Sequence, residues 1–463
     1  MEQKFSDLII LLANGISQRR MYFDAHPRVV ATAVEVSAGL NDVMARSPDG
    51  EFSFGVFNGK FVRDGHYLVG PSIAGRTLIS FAEHLGCGGF VFRRTMDPDT
   101  VVALFRLGAE RSDKPVNLAQ AQALLAAHGL GDIVLTPPLE EEGRSGVADS
   151  ADAPTSGAGD LTAEFAPLLN VYQSMYDSVS TNNVAVHGGG GIDRDQARSA
   201  GAQLVSLADE GALDVMQFMR YPDYDSYTIG HSVRVAALSA MLGRVLGWSP
   251  ELLAELAAAG LLHDLGKSCI SEEVLFKAGK LDPDERLLIE SHPTLGAQIL
   301  LDNGERSPVV VAAAWGHHLG HDGSGYPSMP TAYRPGAVAE VVHVCDVFEA
   351  LTASRPYKKA LSPRASYEIM LKGAAVYHPR ILAAFIASMG LYPPGSEVRL
   401  NDRSIAVVVA SGAVLDRPRV RVTNDPQGQP IPGDRQPAID LHQAPDLRVM
   451  EILSTGAGMP LRP

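Results

Sequence analysis

Seven side chains able to hold a cation lie in or at the ends of apolar stretches of this chain: His231, His263, Asp264, His292, His317, His318 and Asp346. The densest stretch is His317-His318-Leu319-Gly320-His321-Asp322-Gly323-Ser324-Gly325-Tyr326-Pro327, which joins adjacent imidazoles to an aspartate and a glycine/proline turn. An unpaired imidazole or carboxylate is costly to bury. Taken singly, each histidine reads as a hydrogen-bonded core residue. Taken together, the seven point to metal. A single first-row ion takes about four to six ligands, so seven nitrogen and oxygen ligands with an adjacent His-Asp pair predict two ions bridged by Asp264. Two closely spaced ions suit in-line attack at a phosphoryl centre, because they clamp the attacking and leaving oxygens together. A bridging hydroxide is the expected nucleophile. The ligand types admit iron or manganese ahead of zinc, and the sequence does not choose among them.

The elements that must position these groups are helices. The apolar run Val309–Trp315 reads as a buried helix delivering His317 and His318. Gly323, Gly325 and Pro327 then stop it and fix a loop, since glycine permits positive φ and proline sets φ. His231 opens a helix through Leu238, and Glu251–Leu262 forms a second that ends in His263-Asp264-Leu265-Gly266-Lys267. Pro283 starts another, followed by His292-Pro293, and Ala337–Leu351 is a buried helix with Asp346 inside it. Tyr367–Leu371 and Arg380–Met389 complete an all-helical section between Thr228 and Gly390.

A chain of 463 residues has room for two or three domains. A hydrophobic content of 46% with 20% charged residues fits a folded protein. The net charge of -14, from 39 basic and 53 acidic residues, excludes a nucleic-acid polymer as main partner. A small anionic ligand stays compatible with it. Cys87, Cys269 and Cys345 are far apart and suggest neither a disulfide framework nor a zinc ribbon. The short apolar run Leu8–Ala13 is neither a signal peptide nor a membrane span, so the chain is expected to be cytoplasmic.

The motif series resembles the HD-GYP family, bacterial cyclic di-GMP phosphodiesterases within the HD superfamily. The residues that carry it are His231-Ser232-Val233-Arg234-Val235, His263-Asp264-Leu265-Gly266-Lys267, Glu273–Lys277, His292-Pro293, Asp322–Pro327, Asp346–Thr352 and Arg355-Pro356-Tyr357-Lys358, in that order. The resemblance covers about Asp225 to Gly390. It implies that His231, His263, Asp264 and Asp346 hold one ion, and that Asp264, His292, His317 and His318 hold the second. It makes Asp264 and Lys267 the catalytic pair, Lys267 meeting the scissile phosphate or the leaving oxygen. Asp322, Gly323, Gly325, Tyr326 and Pro327 would shape the substrate loop, and Arg355 and Lys358 would bind the phosphates. Two departures stand out. Family members with three metals carry a glutamate four residues before the first histidine, where this chain has Tyr227, so two ions are expected. Many members also read His-His-Glu where this chain has Leu319, which bears on loop packing or partner contact.

The expected architecture is multidomain α+β. An N-terminal α/β regulatory or dimerisation unit spans 1–136, a disordered linker 137–160, a helical connector 161–220, an all-α HD-type catalytic domain 221–391, and a small C-terminal β unit with a disordered tail 392–463. Strands are expected at Glu51–Phe57, Lys60–Val62, Gly65–Val69 and Gly89–Phe92, then at Glu397–Leu400, Ile405–Val409, Arg419–Val422 and Ile439–Leu441. A homodimer through the N-terminal or connector helices and signalling-protein contacts through the Tyr326 loop are the partner expectations. The leading function is hydrolysis of cyclic di-GMP to pGpG and onward to GMP. The alternatives are a phosphohydrolase for another cyclic dinucleotide or nucleotide, and a catalytically silent cyclic di-GMP-responsive interaction module. Completeness of the ligand set with Lys267 favours the enzyme.

Overall fold

The structure, a computed structural model, describes residues 2–47, 49–63, 66–68, 71–72, 75–110, 115, 117–138, 159–209, 227–275, 277, 279–329, 334–353, 361–432 and 435–454. The chain divides into two compact units, the first running to Leu169 and the second beginning at Asn170.

In the first unit, helices α1 (Glu2–Met21) and α2 (Pro27–Met44) precede strands β1 (Phe52–Phe57), β2 (Lys60–Arg63) and β3 (His66–Tyr67). Helix α3 (Arg76–Leu85), strand β4 (Gly89–Phe92), helices α4 (Pro98–Ala109) and α5 (Leu118–Ala127) and strand β5 (Ile133–Thr136) follow. The sheet order is β3-β2-β1-β4-β5, antiparallel throughout, so this unit is α+β in arrangement rather than a parallel α/β crossover. The expected hairpin is present. Asn58 and Gly59 both adopt positive φ, which matches the twist of the flanking strands. His26 acts as the N-cap of α2, its side chain accepting from the Arg28 amide. Strand β5 was not expected, because four residues beside a proline pair give too short an alternation to read. Most of the expected linker lies outside the described residues.

Helix α6 (Gly159–His187) ends before the glycine run, and α7 (Arg194–Asp209) begins after it. The sequence pattern predicts one helix from Asp193 to Met219, of which residues 210–219 lie outside the described residues. The helical core follows: α8 (Tyr227–Val245), α9 (Pro250–Leu262), a 3₁₀ turn (Leu265–Cys269), α10 (Glu272–Leu275), α11 (Pro283–Glu290), α12 (His292–Asp302), α13 (Pro308–Gly316) and α14 (Ala337–Thr352). Helices α15 (Pro363–Lys372) and α16 (Pro379–Met389) close it. Serines at 249, 307 and 362 accept backbone amides at the starts of α9, α13 and α15, each followed by proline at the first helical position. Helix α8 packs on α9 and α14, and α13 packs on α9, α12 and α14, so these helices converge.

Strands β6 (Glu397–Leu400), β7 (Ile405–Ala410), β8 (Arg419–Asn424), β9 (Ala438–Asp440) and β10 (Val449–Ser454) form a second antiparallel sheet, ordered β10-β6-β7-β8-β9. Val398, Leu400, Ala406, Val408, Val420, Val422 and Leu441 make its core. Strand β10 was not expected; it pairs with β6 through two register irregularities that blur its period of two. Among the described residues, no helix is long and apolar enough to cross a membrane.

Candidate metal centre

Each ligand is delivered by a helix end or a buried helix face. His231 stands on α8, His263 and Asp264 follow the end of α9, and His292 opens α12. His317 caps α13, His318 comes next, and Asp346 lies midway along α14. Gly266 lets α12 approach: a Cβ there would meet the His292 carbonyl oxygen at 2.0 Å and the Gly296 nitrogen at 2.6 Å. No larger residue fits, which accounts for the glycine beside the His-Asp pair.

The seven side chains gather into two groups whose ligand atoms lie within 4.8 Å of one another, Asp264/His292/His317/His318 and His231/His263/Asp346. Asp264 spans them. Its Oδ1 is 3.2 Å from His292 Nε2 and 3.6 Å from His317 Nε2, while its Oδ2 is 3.3 Å from His263 Nε2 and 3.6 Å from His231 Nε2. Asp346 Oδ1 lies 3.1 Å from His231 Nε2, and Oδ2 lies 3.9 Å from His318 Nδ1.

Hydrogen bonds fix which imidazole nitrogen is free. His263 Nδ1 donates to the Gly260 carbonyl at 2.8 Å, His292 Nδ1 to Ile289 at 2.7 Å, and His317 Nδ1 to Ala313 and Ala314 at 3.0 Å. Each therefore keeps a lone pair on Nε2. The consequence is sharpest between His292 and His317, whose Nε2 atoms stand 3.2 Å apart with no proton left to share. His263 Nε2 and Asp264 Oδ1 are likewise buried without a hydrogen-bond partner among the described residues. Two facing lone pairs, an orphaned nitrogen and an orphaned carboxylate oxygen, all buried, call for a cation. The residues fit a divalent metal.

The electrostatics agree. Burial works to raise the carboxyl pKa of Asp264, but His263 and then Lys267 outweigh it and hold the group well below the usual carboxylate range. Burial likewise works against Asp346 as an anion, but His231 outweighs it and holds the carboxyl well below its usual range. Burial pushes His317 down to about 4 and His318 well below its ordinary value, so both present neutral imidazoles. Burial would also lower His231, but Glu349 and Asp346 reverse this and bring it to about 9 without metal. A bound ion would displace that proton.

The loop residues divide by role. Tyr326 sets its ring 4.5 Å from that of His318 and 6.1 Å from that of His292, at the edge of the centre. Gly325 has φ +88° and pairs with Leu319 across the loop; a Cβ on it would strike the His318 carbonyl oxygen at 2.1 Å. Gly323 also takes positive φ, and Pro327 follows a cis peptide bond. Asp322 is exposed and spends its Oδ1 on the Ser324 amide (2.9 Å) and hydroxyl (2.6 Å), which makes it a turn former. Leu319 is 2% exposed, so its side chain serves loop packing rather than partner contact. Lys267 Nζ donates to Asp264 Oδ2 at 2.5 Å. Arg355 and Lys358 lie outside the described residues.

Sequence reasoning did not single out His343 or Glu349. His343 is buried and donates from Nδ1 to the His317 carbonyl at 2.5 Å, steadying the ligand backbone. Glu349 is fully buried against His231 and Arg234. Its spacing of three from Asp346 on one helix was the available signal.

This fold and site define a class. Residues 208–381 match the HD domain family, and the chain has homologues among cyclic dinucleotide phosphodiesterases. It is 37% identical over 252 residues to "Cyclic di-GMP phosphodiesterase PA4108" of Pseudomonas aeruginosa, covering 52% of this chain and 60% of that protein. It is 37% identical over 144 residues to "3'3'-cGAMP-specific phosphodiesterase 1" of Vibrio cholerae, covering 31% and 33% respectively. It is 34% identical over 164 residues to "Cyclic di-GMP phosphodiesterase response regulator RpfG" of Xanthomonas campestris, covering 35% and 43%. The chain thus spans three fifths or less of the length of these curated relatives.

Proposed function

We propose that this chain is a metal-dependent phosphodiesterase that opens cyclic di-GMP to pGpG, with GMP as the product of a second cleavage. The catalytic unit would occupy 221–391, with 1–136 as a regulatory or dimerising module. The observation that carries the reading is Asp264, whose two oxygens face two separate ligand groups. That arrangement suits two divalent ions, with iron or manganese favoured by the mixed nitrogen and oxygen ligands. When bound, such ions supply an activated water and neutralise charge at the phosphoryl centre.

The chain's own residues supply the rest. His317 and His318 enter as neutral imidazoles and the two aspartates enter ionised, so two negative charges meet the cations. Lys267, held on Asp264, would meet a phosphate oxygen next to the same carboxylate. The Tyr326 ring, against His318, offers a face on which a purine stacks. Arg355 and Lys358 complete the proposal as phosphate contacts.

A second reading keeps the site and changes the base: the similarity to a relative named for 3'3'-cGAMP supports it. The test is hydrolysis by the purified chain loaded with Mn²⁺, or with Fe²⁺ under anaerobic conditions. Cyclic di-GMP, 3'3'-cGAMP and a nucleotide monoester are compared, with the double variant His263→Ala/Asp264→Ala as control. Turnover of cyclic di-GMP ahead of the others, lost in the control, is the expected outcome. Preference for 3'3'-cGAMP moves the conclusion to the second reading. Equal inertness of wild type and control on all substrates rejects an enzyme.

A further inference from the structure

His231 differs from the other helix-end ligands in how its outer nitrogen is held. His263, His292 and His317 each give Nδ1–H to a backbone carbonyl. His231 gives it to a carboxylate, Glu349 Oε2, reached across 118 residues of sequence from α14. Glu349 is 0% exposed, and its other oxygen accepts from Arg234 Nε at 2.7 Å and lies 2.7 Å from Arg234 Nη2. Arg234 follows His231 by three residues on α8, so the carboxylate is clamped between two side chains of one helix face.

From this geometry we infer that Glu349 is a positioning residue for the His231/His263/Asp346 half of the centre, with Arg234 fixing Glu349. The inference rests on the two-ion reading given above. The physical reason is tautomer control. A carboxylate can only accept, so it forces the proton onto Nδ1 and leaves Nε2 aimed at Asp346 Oδ1 and Asp264 Oδ2. It also makes the imidazole a stronger donor to a cation. The three-residue group is poorer in ligands than its neighbour, so loss of this support should weaken it first.

The variant Glu349→Gln tests this. Arg234 has only donors and will hold the amide oxygen, which turns the amide NH₂ toward His231. The imidazole must then accept at Nδ1 and carry its proton on Nε2, the wrong tautomer for ligation. Mn²⁺ content and titration are measured by elemental analysis and calorimetry, with folding checked by circular dichroism in EDTA. Wild type should hold two ions per chain. E349Q should keep one and bind the second about 10–100-fold more weakly. Adding Arg234→Met frees the amide to turn its oxygen to His231, and tight binding of the second ion should return in part; a packing role predicts no return.

The outcomes separate. Wild type without two ions removes the metal reading and this inference with it. Two ions in wild type and two equally tight in folded E349Q, or no recovery in the double variant, overturns the inference alone. Should E349Q not fold, the wild-type chain decides. In Zn²⁺-loaded protein with ¹⁵N-histidine, the resonance lost in His231→Asn must be an imidazole protonated at Nδ1 and ligating through Nε2. Protonation at Nε2 or ligation through Nδ1 overturns the assignment.

Discussion

Lys267 Nζ rests on Asp264 Oδ2, the oxygen that also faces His263 and His231. One turn of 3₁₀ helix sets this contact, since the two residues are three apart. The ammonium therefore helps keep the Asp264 carboxylate ionised while one fifth of its own side chain stays exposed.

Lys267→Met is expected to lower kcat on the order of 10²-fold, the cost of removing one charged donor at a phosphoryl or oxyanion site. Metal content should stay near that of wild type, because Lys267 is not a ligand. Steady-state hydrolysis and elemental analysis on the same preparation check it; loss of ions together with activity would assign Lys267 to metal retention instead.

Gly325→Ala forces a side chain into positive φ and into the His318 carbonyl. Destabilisation of about 1 kcal/mol or more follows from the backbone alone. The larger effect is on position: His318 and Tyr326 shift together, so KM for the dinucleotide rises as stability falls. Urea unfolding and initial rates report the two effects.

Leu319→Glu installs the residue common in the resembling family. Here the site is buried, so emptying a leucine position costs about 2–5 kcal/mol, and a desolvated carboxylate adds to that. The thermal midpoint should drop by several degrees. An unchanged midpoint would mean that the loop opens to solvent.

Acid should erase the advantage of Glu349. Burial opposes its charge, but Arg234 and then His231 bring its pKa from an ordinary 4.5 to about 2. A depressed folded-state pKa gives stability that is complete above the unfolded value and lost as pH falls toward the folded one. In metal-free protein, the midpoint difference between wild type and E349Q should therefore narrow between about pH 5 and pH 3. A difference that widens in that window would reject the ion pair as the source.

Much of this centre was legible in the sequence, for a local reason. Helix periodicity placed each histidine or aspartate at the end or on the buried face of an apolar run, where only a partner explains it. The place of Asp264 between the two ligand groups was suggested by its adjacency to His263 and by ligand number. What was illegible depends on contacts between distant elements. Glu349 reads as an ordinary motif residue until α8 and α14 are brought side by side. The way Asp322 shapes its loop, by closing the Ser324 turn, shows only in the folded contacts. Strands β5 and β10 are short and irregular, so pairing partners rather than their own alternation define them.

The carbonyls that receive His263, His292 and His317 belong to the last turns of α9, α11 and α13. The end of each helix thus also aims an imidazole. Inserting or deleting one residue ahead of any of these histidines would swing the ring by about 100°, so loop length elsewhere can drift while these three segments are locked to their count.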